Sequence, residues 1–267
     1  MTRRRMVLLG LLAVVPIACM STIAGCSAAG PCDWIATHGD SWSPAAYGPL
    51  LIIGPAAALA YVLRLAQMAV STSRDVARLP RVPAPPDLVR AAKSARIGRV
   101  ACVGVMSPVA FCAGILRPTV FVSEGAMAAL SSSELLAVLL HEADHARRRE
   151  PALRAARNAA SEVFVFLPIV RWWSDRQITR AELTADASAE KIVGRPALAG
   201  ALLVMTAPPI PLAAFVGHAE LRAQRLLGMR IDEPKAPRGM WVATFVYSWL
   251  ALSLAGCLFE VAVALVA

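Results

Sequence analysis

Apolar positions fall into long blocks along this chain instead of alternating with polar ones, and three of the blocks are long enough to cross a bilayer, which takes roughly 20 apolar residues. Met6 to Gly30 is the first. Ala45 to Val70 is the second, with Arg64 near its far end, where a long side chain can snorkel to the interface. Met240 to Ala267 is the third, interrupted only by Glu260. A fourth apolar run, Val163 to Val170, is too short to span and is interrupted or bounded by Pro168 and Arg171, so it is expected to be buried or interfacial.

Between the second and third blocks the pattern becomes that of a folded domain. "RLPRVPAPPDL", Arg78 to Leu88, is too rich in proline to be helical throughout and reads as a linker holding the next domain away from the bilayer. Arg99 to Val105 and Thr119 to Ser123 read as short strands, with a turn region between them. Ser131 followed three residues later by Glu134 is a capping box, and Leu135, Leu136, Val138, Leu139 and Leu140 supply a broad apolar face. A helix is therefore predicted from there into Arg147, Arg148 and Arg149, where cations suit its negative end, with Pro151 marking a break or a new first turn. Further helices are predicted over Ala152 to Phe166, from about Ser174 through Ile192, and over Pro211 to Leu227.

Composition agrees with a membrane protein: 57% of residues are hydrophobic and only 17% charged. A net charge of +9 would suit a nucleic-acid partner, but its distribution points elsewhere. Arg3, Arg4 and Arg5 precede the first block, and Arg74, Arg78, Arg81, Arg90 and Arg96 follow the second. Ser27 to Ala46 carries only Asp33, His38 and Asp40. This positive-inside asymmetry places the central segment in the cytoplasm and sets nucleic acid aside as a partner. The six cysteines include no C-x-x-C pair. Cys26 and Cys32 fall near the outer face, where a disulfide can persist, and "TIAGC", ending at Cys26, also reads as a lipoprotein-type signal.

The candidate chemistry sits on the capped helix. His141 and His145 are four apart, so both imidazoles project from one face and can share a metal. Glu142 follows the first histidine, where a carboxylate can take a proton from an activated water, as in the H-E-x-x-H arrangement of zinc peptidases. A polar helix face bearing two surface histidines is the alternative. It would bring those groups without partners to a semi-buried surface directly after the apolar positions. A third ligand is expected from another helix, and "RAELTADASAE" offers Glu182, Asp186 and Glu190 on one face beside Ala181, Ala185 and Ala189. Spacing leaves the choice among the three acids open, and such a row is also what a solvated helix face looks like.

"LSSSELLAVLLHEADHARRREP", "FLPIVRWW", "RAELTADASA" and the upstream "GILRPTVFVSEGAMAALS" together resemble the integral-membrane zinc metallopeptidases related to the BlaR/MecR-type β-lactam sensor-transducers. More distantly, the chain resembles the HtpX and CAAX-prenyl type membrane peptidases. The resemblance implies zinc ligands at His141, His145 and Glu182, a general base at Glu142, and Asp186 as an outer carboxylate orienting a ligand histidine. "GHAELRAQRLLG" is similar to a later segment of the HtpX type, which implies His218 as an oxyanion stabiliser. The resemblance does not extend to the sensor-transducers' extracellular penicillin-binding domain, so β-lactam recognition is not implied.

The fold expected is thus a mainly α membrane protein with about three transmembrane helices. Residues 1–30, 48–70 and 240–267 would span, 31–47 would be an extracytoplasmic loop, and 71–239 would form a cytoplasmic zincin-like α+β domain. The function expected is zinc-dependent endoproteolysis at the bacterial inner membrane, with a winged-helix repressor as one candidate substrate. The alternative is a zinc-containing sensor or adaptor that signals by contact alone.

Overall fold

The computed structural model describes residues 44–206, 213–229 and 235–266, with side chains at 53–205, 220–229 and 235–255. The first predicted span, Cys26, Cys32, the loop after the span as far as residue 43 and the side chain of His218 lie outside the described residues, and the last four residues of that predicted loop, from Pro44, are helical. The chain is mostly helical with one small sheet, and it divides into two units.

Of the described residues, the first unit takes 44–62, Phe164–Ile169 and 236–266. Helix α1 runs Pro44–Ala77, across the second apolar block, and the last helix, α9, covers Arg238–Val266 over the third. Within α1, Ile53–Ala77 is the one described stretch long and apolar enough by composition to cross a membrane. In α9, Trp241, Val242, Phe245 and Trp249 are all exposed. The run from Val163 to Val170 is not buried: Val165 and Phe166 stand exposed at the bend before Pro168.

The second unit, Leu63–Val163 and Val170–Lys235, contains the sheet and the candidate chemistry. Its strands are β1 (Arg81–Val82), β2 (Val100–Val103), β3 (Ala110–Ala113) and β4 (Thr119–Ser123), in the order β1-β2-β4-β3. β2 runs parallel to β4 with Val100 opposite Val120, while β1 and β3 are antiparallel to their neighbours. β4 is interior because β-branched and aromatic residues fill both of its faces: Val120, Phe121 and Val122 are all buried. The edges are β1 and β3, neither predicted as a strand. β1 is two residues long, and "AFCA" carries no β-branched residue to announce β3.

The proline-rich segment is part of this fold and not a spacer. Leu79 and Val82 pack against the core, and β1 lies within the segment. Pro85 and Pro86 then start helix α2 (Pro86–Ser94), because proline has no N–H to lose in a first turn and its φ is already set for a helix. Leu88, two residues on, is fully buried.

Ser123 ends β4 and caps α3 (Glu124–Ala129). Its Oγ accepts from the N–H groups of Ala126 and Val109, each at 3.0 Å, and donates to the Ser107 carbonyl at 2.7 Å. That clamp fixes the loop leading into β3. Gly125 is required where this loop crosses, since a Cβ there would lie 2.0 Å from the Met106 carbonyl oxygen.

Helix α4 (Ser132–Arg147) packs on α2, on β3 and β4, and on α7 (Arg195–Thr206). The capping box forms as predicted: the Ser131 N–H donates to Glu134 Oε2 at 2.8 Å, and Ser131 Oγ accepts from the Glu134 N–H at 3.4 Å. Leu135, Ala137, Val138, Leu139 and Leu140 are buried, each large side chain stabilising the fold by about 1.5–3 kcal/mol. With its start capped and its middle buried, α4 holds residues 141–145 at a fixed depth. Arg149 then adopts a positive φ of 53°, turning the chain into α5 (Glu150–Val163). Helix α6 is a single element, Pro168–Val193, that begins earlier than the sequence suggested because Pro168 suits a first turn. α8 covers Ala213–Leu226.

Candidate metal centre

α4 and α6 meet so that the two histidines face the acidic row. His141 and His145 are each only 6% exposed, on a helix turn that is buried from Leu139 through His145. Their rings stand edge to face with centroids 4.6 Å apart, and the two Nε2 atoms are separated by 3.0 Å. Glu182 completes the group, with Oε2 3.3 Å from His141 Nε2 and Oε1 3.7 Å from His145 Nε2. Of the three acids left open by spacing, Glu182 and Asp186 reach the histidines. Glu190 instead accepts from Arg195 at 2.9 Å.

Asp186 Oδ1 accepts from His141 Nδ1 at 2.8 Å. This bond places the proton of the neutral ring on Nδ1 and leaves the Nε2 lone pair facing His145 and Glu182. Asp144, although inside the motif, serves another purpose: it accepts from Arg147, Arg148 and Ser188 and ties α4 to α6. Two of the three arginines at the end of α4 are therefore partners of a buried carboxylate.

The donor set fits a zinc ion. Bonds of roughly 2.0–2.1 Å in a tetrahedral site separate ligand atoms by about 3.3 Å, close to the 3.0 Å between the two Nε2 atoms and the 3.3 and 3.7 Å from each of them to one or other Glu182 oxygen. His145 Nδ1 is buried without a hydrogen-bond partner among the described residues, so the polar neighbours of this ring all lie on its Nε2 side, toward His141 and Glu182. One ligand atom from each of His141, His145 and Glu182 lies within 4.8 Å of the others, the one such group among the described residues. Neither described cysteine, Cys102 or Cys112, belongs to that group. Burial, then the charge of Glu142, pushes the Cys112 thiol up to about 12.

Two arginines that the sequence reading did not single out complete the site. Arg154 on α5 donates to Glu182 Oε1 at 2.9 Å, and Arg222 on α8 donates to both oxygens of Asp186, each at 2.7 Å. The signal in the sequence is indirect: acids and histidines drawn into a core need cations, and Arg222 lies one turn after His218 in the segment that resembles the HtpX type. Burial disfavours ionising Glu182, but its hydrogen bonds to His141 and His145 hold it well below the usual carboxylate range. Asp186 is likewise lowered, against burial, by His141 and Arg222.

Burial also opposes charging His141, yet the bonds to Asp186 and Glu182 outweigh it and raise this group to about 9. A raised value means that the metal-free site holds a proton below that pH, which an incoming cation must displace. Zinc affinity should therefore climb with pH up to about 9 and level off above it. Calorimetry near neutral pH, in buffers of different ionisation heat, should find about one proton released per zinc. Binding without proton release would show that His141 is already neutral in the metal-free site, against the raised value.

Comparison with known proteins agrees with this chemistry. Residues 87–215 match the model of peptidase family M48. The M48 match runs from α2 to the start of α8 and contains His141, Glu142, His145, Glu182 and Asp186. It supports a metallopeptidase, and M48 enzymes are generally zinc-dependent. Arg222 lies beyond the end of the matched M48 segment. No curated protein matches the chain.

Proposed function

We propose that the chain is a membrane-embedded zinc endopeptidase that cleaves a cytoplasmic or membrane-associated protein. The observation carrying this reading is the convergence of His141, His145 and Glu182 within an M48-matching segment, with Glu142 directly after the first histidine. His141, His145 and Glu182 hold the metal through three protein ligands, the number that leaves a catalytic site one open position. When bound, zinc supplies Lewis acidity to water and to the scissile carbonyl. Asp186 holds the His141 ring in the orientation that aims Nε2 at the centre. Glu142 takes the proton of the attacking water and returns it to the amide nitrogen as the C–N bond breaks.

The substrate is read as an extended segment. β3 is an edge strand packed beside α4, so an incoming chain can add to its free side through backbone hydrogen bonds. β4, Thr119–Ser123, is interior to the sheet and offers no such edge.

The membrane part of the proposal rests on Ile53–Ala77, on α9 over the third apolar block, and on the arginine asymmetry that assigns the M48 segment to the cytoplasm. The resemblance to BlaR/MecR-type transducers supports a winged-helix repressor as substrate. Full-length protein in detergent should cleave casein or a co-purified repressor of that class, and a zinc chelator should stop it. Zinc-loaded protein that leaves both intact would contradict the endopeptidase reading and favour a sensor or adaptor.

A further inference from the structure

Asp186 is 2% exposed and carries more partners than a carboxylate needs to orient one histidine. Oδ1 accepts from His141 Nδ1 at 2.8 Å and from Arg222 Nη2 at 2.7 Å, while Oδ2 accepts from Arg222 Nε at 2.7 Å. Arg222 Nη1 also stands 3.8 Å from Glu182 Oε2, so one guanidinium touches both members of the acidic pair. Three residues on, Arg225 donates to the Leu183 carbonyl, anchoring α8 to the same stretch of α6. The Arg222 side chain is only 20% exposed.

A carboxylate turns easily about its last torsion, and a single hydrogen bond to a histidine does not stop it. A planar guanidinium fork does, because two parallel N–H donors fix both oxygens and hence the carboxylate plane. We infer that Arg222 is a positioning residue of the metal centre, locking the Asp186 carboxylate so that His141 presents Nε2 to His145 and Glu182. The inference rests on the zinc reading of those three residues and adds a requirement from a residue beyond the M48 match.

Charge and geometry make opposite predictions for Arg222, which makes the test decisive. A cation this close to a metal site repels the metal, so if charge were its main effect, removing it would tighten zinc binding. If the fork positions Asp186, removing it weakens binding even when the charge is kept. Zinc affinity of the full-length protein in detergent, measured by competition with a chromogenic chelator, should fall roughly 10–100-fold in Arg222→Lys and at least as far in Arg222→Met. Arg222→Lys keeps the charge and the stem, so it carries the test should Arg222→Met not fold. Affinity in Arg222→Lys equal to or tighter than that of the unchanged protein would overturn the positioning role. Failure of the unchanged protein to bind zinc would overturn the site reading itself, together with this inference.

Discussion

Glu142→Gln should leave zinc bound and slow peptide cleavage by roughly 10²–10⁴-fold, the range associated with loss of a general acid–base group. Glu142 is 9% exposed and follows His141 by one residue, a rotation of about 100° around the helix, so its carboxylate projects from a different direction than the ligand imidazoles. Glutamine keeps the volume and an acceptor oxygen but has no basic oxygen to hold a proton. Among the described residues, two nearby groups are poorly suited to replace it. Cys112 stays a neutral thiol at working pH, and Asp186 is saturated by His141 and Arg222. Zinc content measured beside initial rates separates loss of the base from loss of the metal. Cleavage retained in Glu142→Gln would require another base.

Glu182→Gln should lose the metal and also weaken the metal-free protein. As a ligand, Glu182 should matter more for zinc than the outer partners, whose loss costs roughly 10–100-fold in affinity. Its stability effect arises because the carboxylate also answers Arg154 at 2.9 Å and lies 3.8 Å from Arg222. Removing one partner of a buried pair leaves cations uncompensated, at a cost of about 3–5 kcal/mol. The Glu182 and Arg154 side chains are 15% and 36% exposed, so the lower end applies. Zinc at a thousand times its Kd would stabilise the unchanged protein by about 4 kcal/mol, and this linkage disappears in the variant. Thermal unfolding with and without zinc should therefore show a lower midpoint without metal and no shift with it. A normal zinc-dependent shift would remove Glu182 from the ligand set.

The parts of this site legible in the sequence were those written in local spacing. The Ser131–Glu134 box, the apolar run and the two histidines lie within one helix, where the 3.6-residue period relates neighbours directly. Glu182 and Asp186 were visible as a helical row, but choosing them over Glu190 took a family resemblance. Arg154 and Arg222 were illegible because they act across α5, α6 and α8, and a lone arginine on an amphipathic helix looks like surface charge until its partner is known. The same limit explains the sheet. β3 exists through its ladder with β4 and its packing on α4, not through its own composition. The prolines at 85 and 86 were read as punctuation and instead open a helix.

The central claim is that His141, His145 and Glu182 hold a zinc ion with one position open. X-ray absorption at the zinc edge of the full-length protein tests it most directly. The expected result is four light-atom ligands at roughly 2.0–2.1 Å, with the multiple-scattering signature of two imidazoles. A sulfur shell near about 2.3 Å, or the same spectrum after His141 and His145 are both replaced by alanine, would contradict it.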